Sequence, residues 1–191
     1  MLTVVISIAT QTVRQAGSLE EFSEAFIGRV NALASAYTLL SRDNWTRVPL
    51  RDVLEEELRP FASPLEERFV LEGEAVLLLP RAALAFGMIF HELVTNAVKH
   101  GALSVPDGRI TLLWQVERQN AKDHLAFAWT ERDGPNIGHP LRKGFGLALI
   151  ERSARHELKG EAVADWQSDG LSVTLKVPLE AVGHVTARAG R

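Results

Sequence analysis

Cysteine is absent from this chain of 191 residues, which excludes disulfide scaffolds, cysteine nucleophiles and thiolate metal sites together. No basic block stands out either. The 21 Lys and Arg face 24 Asp and Glu, a net charge of −3, so a positively charged nucleic-acid footprint is not expected. No apolar run approaches the roughly 18 residues of a membrane span, and the longest, Ala82 to Phe90, is closed by Arg81 and His91. The opening MLTVVISIATQTVRQ has no basic region ahead of it and is interrupted by Gln11, Thr12 and Gln15, so it does not read as a secretory signal. The expectation is a soluble chain without membrane contact; a reducing compartment fits the absence of cysteine but is not demanded by it. What is present is ordinary: 46% hydrophobic and 24% charged residues, 14 Gly and 8 Pro describe a protein that folds. The length suits one domain, or one plus an appended helical segment.

Leu2, Ile6, Ala9, Val13 and Ala16 step by four and three, the spacing of one helical face. Gly17 stops that helix. Ser18 followed by Glu21 is a capping-box signature for a second, whose Phe22, Phe26, Val30, Leu33, Tyr37 and Leu40 repeat the seam. Such a hairpin must bury its stripe. Two copies would form an antiparallel four-helix bundle, which predicts a homodimer; the alternative is that both stripes pack on the rest of the same chain.

The remainder is mixed. The pattern predicts a short helix from Leu50 to Leu58, breaks at Pro60 and Pro64, strands at Arg68 to Glu72 and Val76 to Leu79, and a long helix opened by Pro80 and running to His100. Strands follow at Arg109 to Glu117 and Leu125 to Glu131, then a loop from Arg132 to Lys143, a helix from Gly144 to about Lys159, and a hairpin of Ala162 to Trp166 with Leu171 to Val177. Helices gathered on one side of mostly antiparallel strands describe an α+β fold: an N-terminal helical hairpin followed by a two-layer α/β sandwich. We divide the chain at 1–44, 45–180 and 181–191, the last expected to be a disordered tail.

Three segments carry chemistry. On the long helix, Glu92, Asn96 and Lys99 stack at steps of four and three among apolar Leu93, Val94, Ala97 and Val98. That stripe is either a wet face near a helix end or the lining of a site where its charges are paired. His91 and Glu92 begin the HExxH pattern of zinc proteases, but Thr95 stands where the second imidazole belongs. A carboxylate with an amide one turn on suits magnesium and phosphate instead, Asn96 supplying the oxygen. The second segment, Trp129-Thr130-Glu131-Arg132-Asp133-Gly134-Pro135, ends a strand in an acid able to accept from an exocyclic amine, although Asp-Gly-Pro alone is an ordinary turn. The third, Lys143-Gly144-Phe145-Gly146-Leu147, puts two glycines at a helix start, where the backbone approaches an anion closely; a lone GxG is weak and matches neither a P-loop nor a Rossmann turn.

HELVTNAVKHGALS, WTERDGP and GFGLALIE, in this order, resemble the catalytic and ATP-binding domain of HWE-type sensor histidine kinases, and FIGRVNALASAYTLLSRDNW resembles the second helix of that family's dimerisation and phosphotransfer hairpin. The resemblance runs from about Leu2 to Pro178. It implies a sandwich of GHKL (Bergerat) ATPase type, in which Asn96 coordinates magnesium, Glu92 stands where a candidate general base is placed, and Lys99 contacts phosphate. Glu131 takes the place of the adenine-reading acid, and Gly144 and Gly146 end the lid over the triphosphate. His91 and Trp129 are signature residues without a derived role, and His100, Gly134, Phe145 and Leu147 fall on the implied ATP pocket. Implied cofactors and partners are ATP, Mg2+, a response-regulator receiver domain and a second copy of the chain, in the cytoplasm. The family's phosphoacceptor histidine lies just ahead of the segment beginning at Leu2. None of the six histidines, 91, 100, 124, 139, 156 and 184, falls on either hairpin helix, so a truncated or late-started chain is expected, one that binds ATP without phosphorylating itself. His100 and Asp133, where relatives have Tyr and Gly, are further departures. Two other readings stay open: a non-catalytic adaptor for a response regulator or kinase, and a GHKL ATPase acting on another protein.

Overall fold

A computed structural model describes residues 2–13, 16–42, 46–61, 68–135, 145–168 and 170–186. Helices α1 (Leu2–Val13) and α2 (Leu19–Arg42) form the hairpin. One half of the capping box is realised, Glu21 N–H donating to Ser18 Oγ at 3.1 Å, while the Glu21 carboxylate accepts from Gly17 N–H at 2.8 Å, one residue ahead of the cap. Leu33 and Leu40 are buried as predicted, but the rest of both seams differs in phase from the predicted ones. In α2 the buried residues are Arg29, Ala32, Leu33, Ala36 and Leu40, while in α1 Ile8 and Thr12 are buried and Ile6 and Val13 are 56% and 63% exposed. A one-residue shift of phase turns a helix by about 100°, and the shift places Arg29 inside the stripe.

The α2 stripe packs within the chain, on helix α4 (Pro80–Lys99). The crossing is close because the residues there are small: a Cβ on Gly87 of α4 would stand 3.4 Å from the Ala36 Cβ and 3.9 Å from the Ala32 carbonyl oxygen. Intrachain burial therefore accounts for α2, whereas Ile6, Val13, Leu19 and Ile27 remain exposed on the outside of the hairpin.

After β1 (Val48–Pro49), α3 (Leu50–Leu58) and a 3-10 turn, strands β2 (Phe69–Gly73) and β3 (Val76–Leu78) precede α4, which Pro80 opens as expected. Strands β4 (Arg109–Gln119) and β5 (Lys122–Arg132), helix α5 (Phe145–His156), and strands β6 (Glu161–Gln167) and β7 (Gly170–Pro178) complete a five-stranded sheet in the order β2-β4-β5-β7-β6. Only β2 and β4 run parallel. Period-2 alternation sends Ile110, Leu112, Leu125, Phe127, Trp129, Val173 and Leu175 to one face. There they meet Phe86, Ile89, Phe90 and Leu93 of α4 and Ile150 and Ala154 of α5 in one core. Phe90 bridges the layers, its ring 5.5 Å from Phe86 and 5.1 Å from Phe127. The opposite face leaves Leu113 and Val163 to solvent, so the expected two-layer sandwich is the observed architecture.

The expected tail is a correction. Leu179–Val182 form a one-turn helix, α6, and Gly183–Val185 form β8, which pairs with β3 in a second sheet of order β1-β3-β8. Val182 is fully buried, and that burial is what holds the segment. The short apolar run AVGHV is too brief for periodicity to reveal. Residues 187–191 lie outside those described.

Candidate functional site

The polar stripe of α4 is dry at Glu92, half-buried at Asn96 and wet at Lys99. Glu92 is 6% exposed and accepts from Arg29 of α2 through both oxygens, Nε to Oε1 at 2.7 Å and Nη2 to Oε2 at 3.2 Å. Arg29 Nη1 also donates to Thr12 Oγ1 at 3.0 Å, and that hydroxyl donates to the Ile8 carbonyl at 2.7 Å. A bidentate guanidinium is the arrangement that makes a carboxylate tolerable in a dry interior. One turn on, Asn96 sits beside Glu92, and Gly146 at the start of α5 presses against both. A Cβ on Gly146 would stand 2.7 Å from Asn96 Nδ2 and 2.9 Å from Glu92 Oε2. Only glycine leaves the α5 N-terminus this close to an acid and an amide. Lys99, exposed, reaches back to α2, its Nζ 3.1 Å from Glu24 Oε2.

At the far end of α4 a second group forms around Glu131. This residue is 2% exposed; Oε2 accepts the Ala102 N–H at 2.8 Å and Oε1 accepts the Trp129 indole N–H at 3.1 Å. Trp129 and Glu131 share one face of β5 because they are two apart. Gly101 lies under the carboxylate, where a Cβ would stand only 2.1 Å from Oε2 and 2.9 Å from the Ala97 Cα. Burial pushes the Glu131 carboxyl above its ordinary value, against the two N–H donors that favour its ionised form. The folded state thus holds this proton more tightly than the unfolded chain does. Its stabilising contribution is full below pH 4.5, the ordinary value, and is lost as the pH rises through the raised one. Relative to Glu131→Gln, the wild type should lose urea-midpoint stability as the pH rises from about 4.5; a difference constant with pH would contradict this.

Two broad grooves, of about 650 and 640 Å3, lie elsewhere: one on the open face of the sheet around Leu113 and Val163, the other between α2, α3 and β2 around Leu39 and Phe69. Neither is lined by the stripe or by Glu131.

A sequence profile of the HWE histidine kinases matches residues 1–75. Blue-light-activated histidine kinases from Brucella ovis and Brucella anthropi are each 32% identical to the chain, over 178 and 180 residues, or 93% and 94% of its length. The chain belongs to the HWE histidine kinase family. It spans only 36% and 37% of those two relatives. The fold is likewise that of solved histidine kinases: a blue-light activated histidine kinase from Erythrobacter litoralis superposes with a TM-score of 0.65 at 17% identity, covering 93% of this chain and 57% of that one. The separate histidine kinase domain of that protein gives 0.59 at 15%, covering 93% and 95%.

Among the residues singled out from sequence, the HWE kinase fold brings Glu92, Asn96 and Gly146 into contact and sets Trp129 and Glu131 together at the end of the same helix. Trp129 is fully buried; it offers a ligand no surface and acts by donating to Glu131. His91 turns to a different side of α4, its Nδ1 3.2 Å from Glu57 Oε2 of α3 and its Nε2 2.8 Å from where a Cβ on Gly28 would stand, so it fits the hairpin against α3. His100 is exposed at the C-cap of α4 and Leu147 is buried in the core. Gly134 is half-buried after Asp133, whose φ of 55° is the conformation that glycine adopts most freely. Phe145 opens α5, and Gly144 lies outside the described residues. Sequence reading missed Arg29, Thr12, Glu24, Glu57 and Gly101. Arg29 had a signal: at steps of three and four from Phe26 and Leu33 it is the lone charge on an apolar stripe, and Glu92 is the lone acid on a mostly apolar helix.

Proposed function

We propose that this chain binds ATP with magnesium along the C-terminal half of α4. In this reading it is the catalytic core of a two-component sensor histidine kinase, passing the γ-phosphate to a histidine and then to a response-regulator Asp. Family membership supports the reading, and one observation carries it: Gly146, with no side chain, lets the first turn of α5 approach Asn96 and Glu92 more closely than a residue with a Cβ could. An acid and an amide beside a helix N-terminus suit a magnesium-bound anion, since magnesium takes few protein oxygens and keeps water and phosphate for the rest.

Bound ATP supplies the phosphoryl group; the chain's own residues place it. Asn96 offers a neutral oxygen to the metal, and Lys99 a point charge to the phosphates. Glu92, oriented by Arg29, keeps a lone pair of Oε2 on the Gly146 side to orient a nucleophile or accept its proton. Glu131, fixed by Trp129 and Ala102, has a second lone pair on each oxygen for an exocyclic amine. The acceptor histidine is not one of the six in this sequence, so the chain binds ATP without labelling itself. Ile6, Val13, Leu19 and Ile27, exposed on the hairpin, are the face through which two copies join. The kinase core of this reading works in the cytoplasm; among the described residues no helix is long and apolar enough to cross a membrane.

Calorimetric titration with Mg-ATP tests the site. Asn96→Ala should weaken binding about tenfold or more, the equivalent of 1.4 kcal/mol or above; unchanged affinity would remove Asn96 from the site. A second reading, the adaptor without phosphotransfer, draws on the engagement of Glu92 and Lys99 by the hairpin, and a folded wild type that binds no Mg-ATP would favour it.

A further inference from the structure

Two α4 side chains assigned above to the nucleotide site, Glu92 and Lys99, are held by α2 in the structure, and the neighbouring His91 packs on it as well. Gly28 packs on His91, Arg29 holds Glu92, and Glu24 holds Lys99. The two charged contacts differ in kind. Arg29 and Glu92 are nearly dry, with side chains 6% and 7% exposed, whereas Lys99 and Glu24 are 50% and 70% exposed. A buried bidentate pair is costly to open; an exposed single contact opens readily.

We propose that Glu24 is an internal competitor for the nucleotide: its carboxylate occupies the Lys99 ammonium that the triphosphate must take, so that the hairpin helix and ATP exclude one another at this point. The proposal rests on the reading of Lys99 as a phosphate contact. Lys99 carries one compact positive charge, and at 3.1 Å the Glu24 oxygen stands where a phosphate oxygen would. When the nucleotide arrives, the Glu24 end of α2 is released while Arg29 keeps its grip on Glu92. Lys99 lies seven residues beyond Glu92, two turns along α4, so the hairpin pivots near Arg29 and does not detach. Coupling is reciprocal: whatever moves the Glu24 end of α2 away from α4 raises nucleotide affinity by the factor with which nucleotide loosens the hairpin.

Mg-ATP titration of four proteins tests this: wild type, Glu24→Gln, Lys99→Ala and the double variant. An exposed pair sets the scale, so Glu24→Gln should tighten binding by about two- to fivefold. Lys99→Ala should weaken binding, and in that background Glu24→Gln should change nothing. Glu20→Gln, which removes the same charge one turn earlier on α2, should leave affinity at the wild-type value and so exclude a general electrostatic effect. If Lys99→Ala weakens binding but Glu24→Gln does not tighten it, or tightens it equally without Lys99, the competitor is refuted and the nucleotide site stands. If Lys99→Ala has no effect, both the Lys99 assignment and the competitor fall.

Discussion

Arg29→Ala is expected to destabilise the protein by about 3–5 kcal/mol, because it strands the Glu92 carboxylate in a dry site. For a chain of this size that corresponds to a fall in melting temperature of about 10 °C. The loss is larger than the worth of the contact itself: a buried charge without its partner retains its full desolvation penalty. Thr12 Oγ1 loses its donor at the same time, which loosens α1 from α2. The companion variant separates charge from packing. Arg29→Met combined with Glu92→Leu removes both charges at similar volume and should recover most of the melting temperature, while removing the carboxylate proposed above to act in phosphotransfer. Scanning calorimetry of the single and double variants decides it; a single variant melting within about 2 °C of wild type would show that the pair contributes little.

Gly101→Ala should be nearly as damaging, for a steric reason. The new methyl would lie 2.1 Å from the Glu131 carboxylate and 2.9 Å from the Ala97 Cα, and only the first of these can move. Displacing Glu131 leaves the Ala102 N–H and the Trp129 indole N–H without their acceptor in the core. Overpacking costs about 1–3 kcal/mol and an unsatisfied buried donor a further 1–3. Urea unfolding should show a loss of about 2–6 kcal/mol. Adding Glu131→Ala, which makes room for the methyl, should not add a second loss of equal size. Fully additive losses would mean that Gly101 and Glu131 act independently.

The elements were largely legible in the sequence because each has strong local signals: Pro80 at the start of α4, Ser18 and Glu21 at the start of α2, and alternation along β4 and β5. The phase of the hairpin was not legible. A four-three spacing is satisfied by 22, 26, 30, 33 as well as by 22, 26, 29, 33, and a hydrophobic criterion prefers Val30 to Arg29. Only the partner on α4, 63 residues away, makes Arg29 the buried choice. β8 was missed for a related reason, since its three residues find their strand partner in β3, more than a hundred positions earlier. Within the site, the spacing of Glu92 and Asn96 foretold a shared face, and the GxG motif foretold a close approach to something. That the approach is to Glu92 and Asn96 is a tertiary fact. The family motifs carried the likeness to a kinase, but not Trp129 serving Glu131 or His91 serving α3, which depend on strand register and helix crossing.

The proposed site requires that the stripe of α4 and the first turn of α5 bind one nucleotide. Manganese substituted for magnesium in the ATP complex makes the claim visible, because a paramagnetic ion broadens the amide resonances of residues near it. Titration of the labelled protein with Mn-ATP should broaden the amides of Asn96, Lys99 and Gly146 first, leaving those of Val163 on the open sheet face and His184 in β8 sharp. Broadening centred on Val163 or His184, or spread evenly over the molecule, would contradict the account.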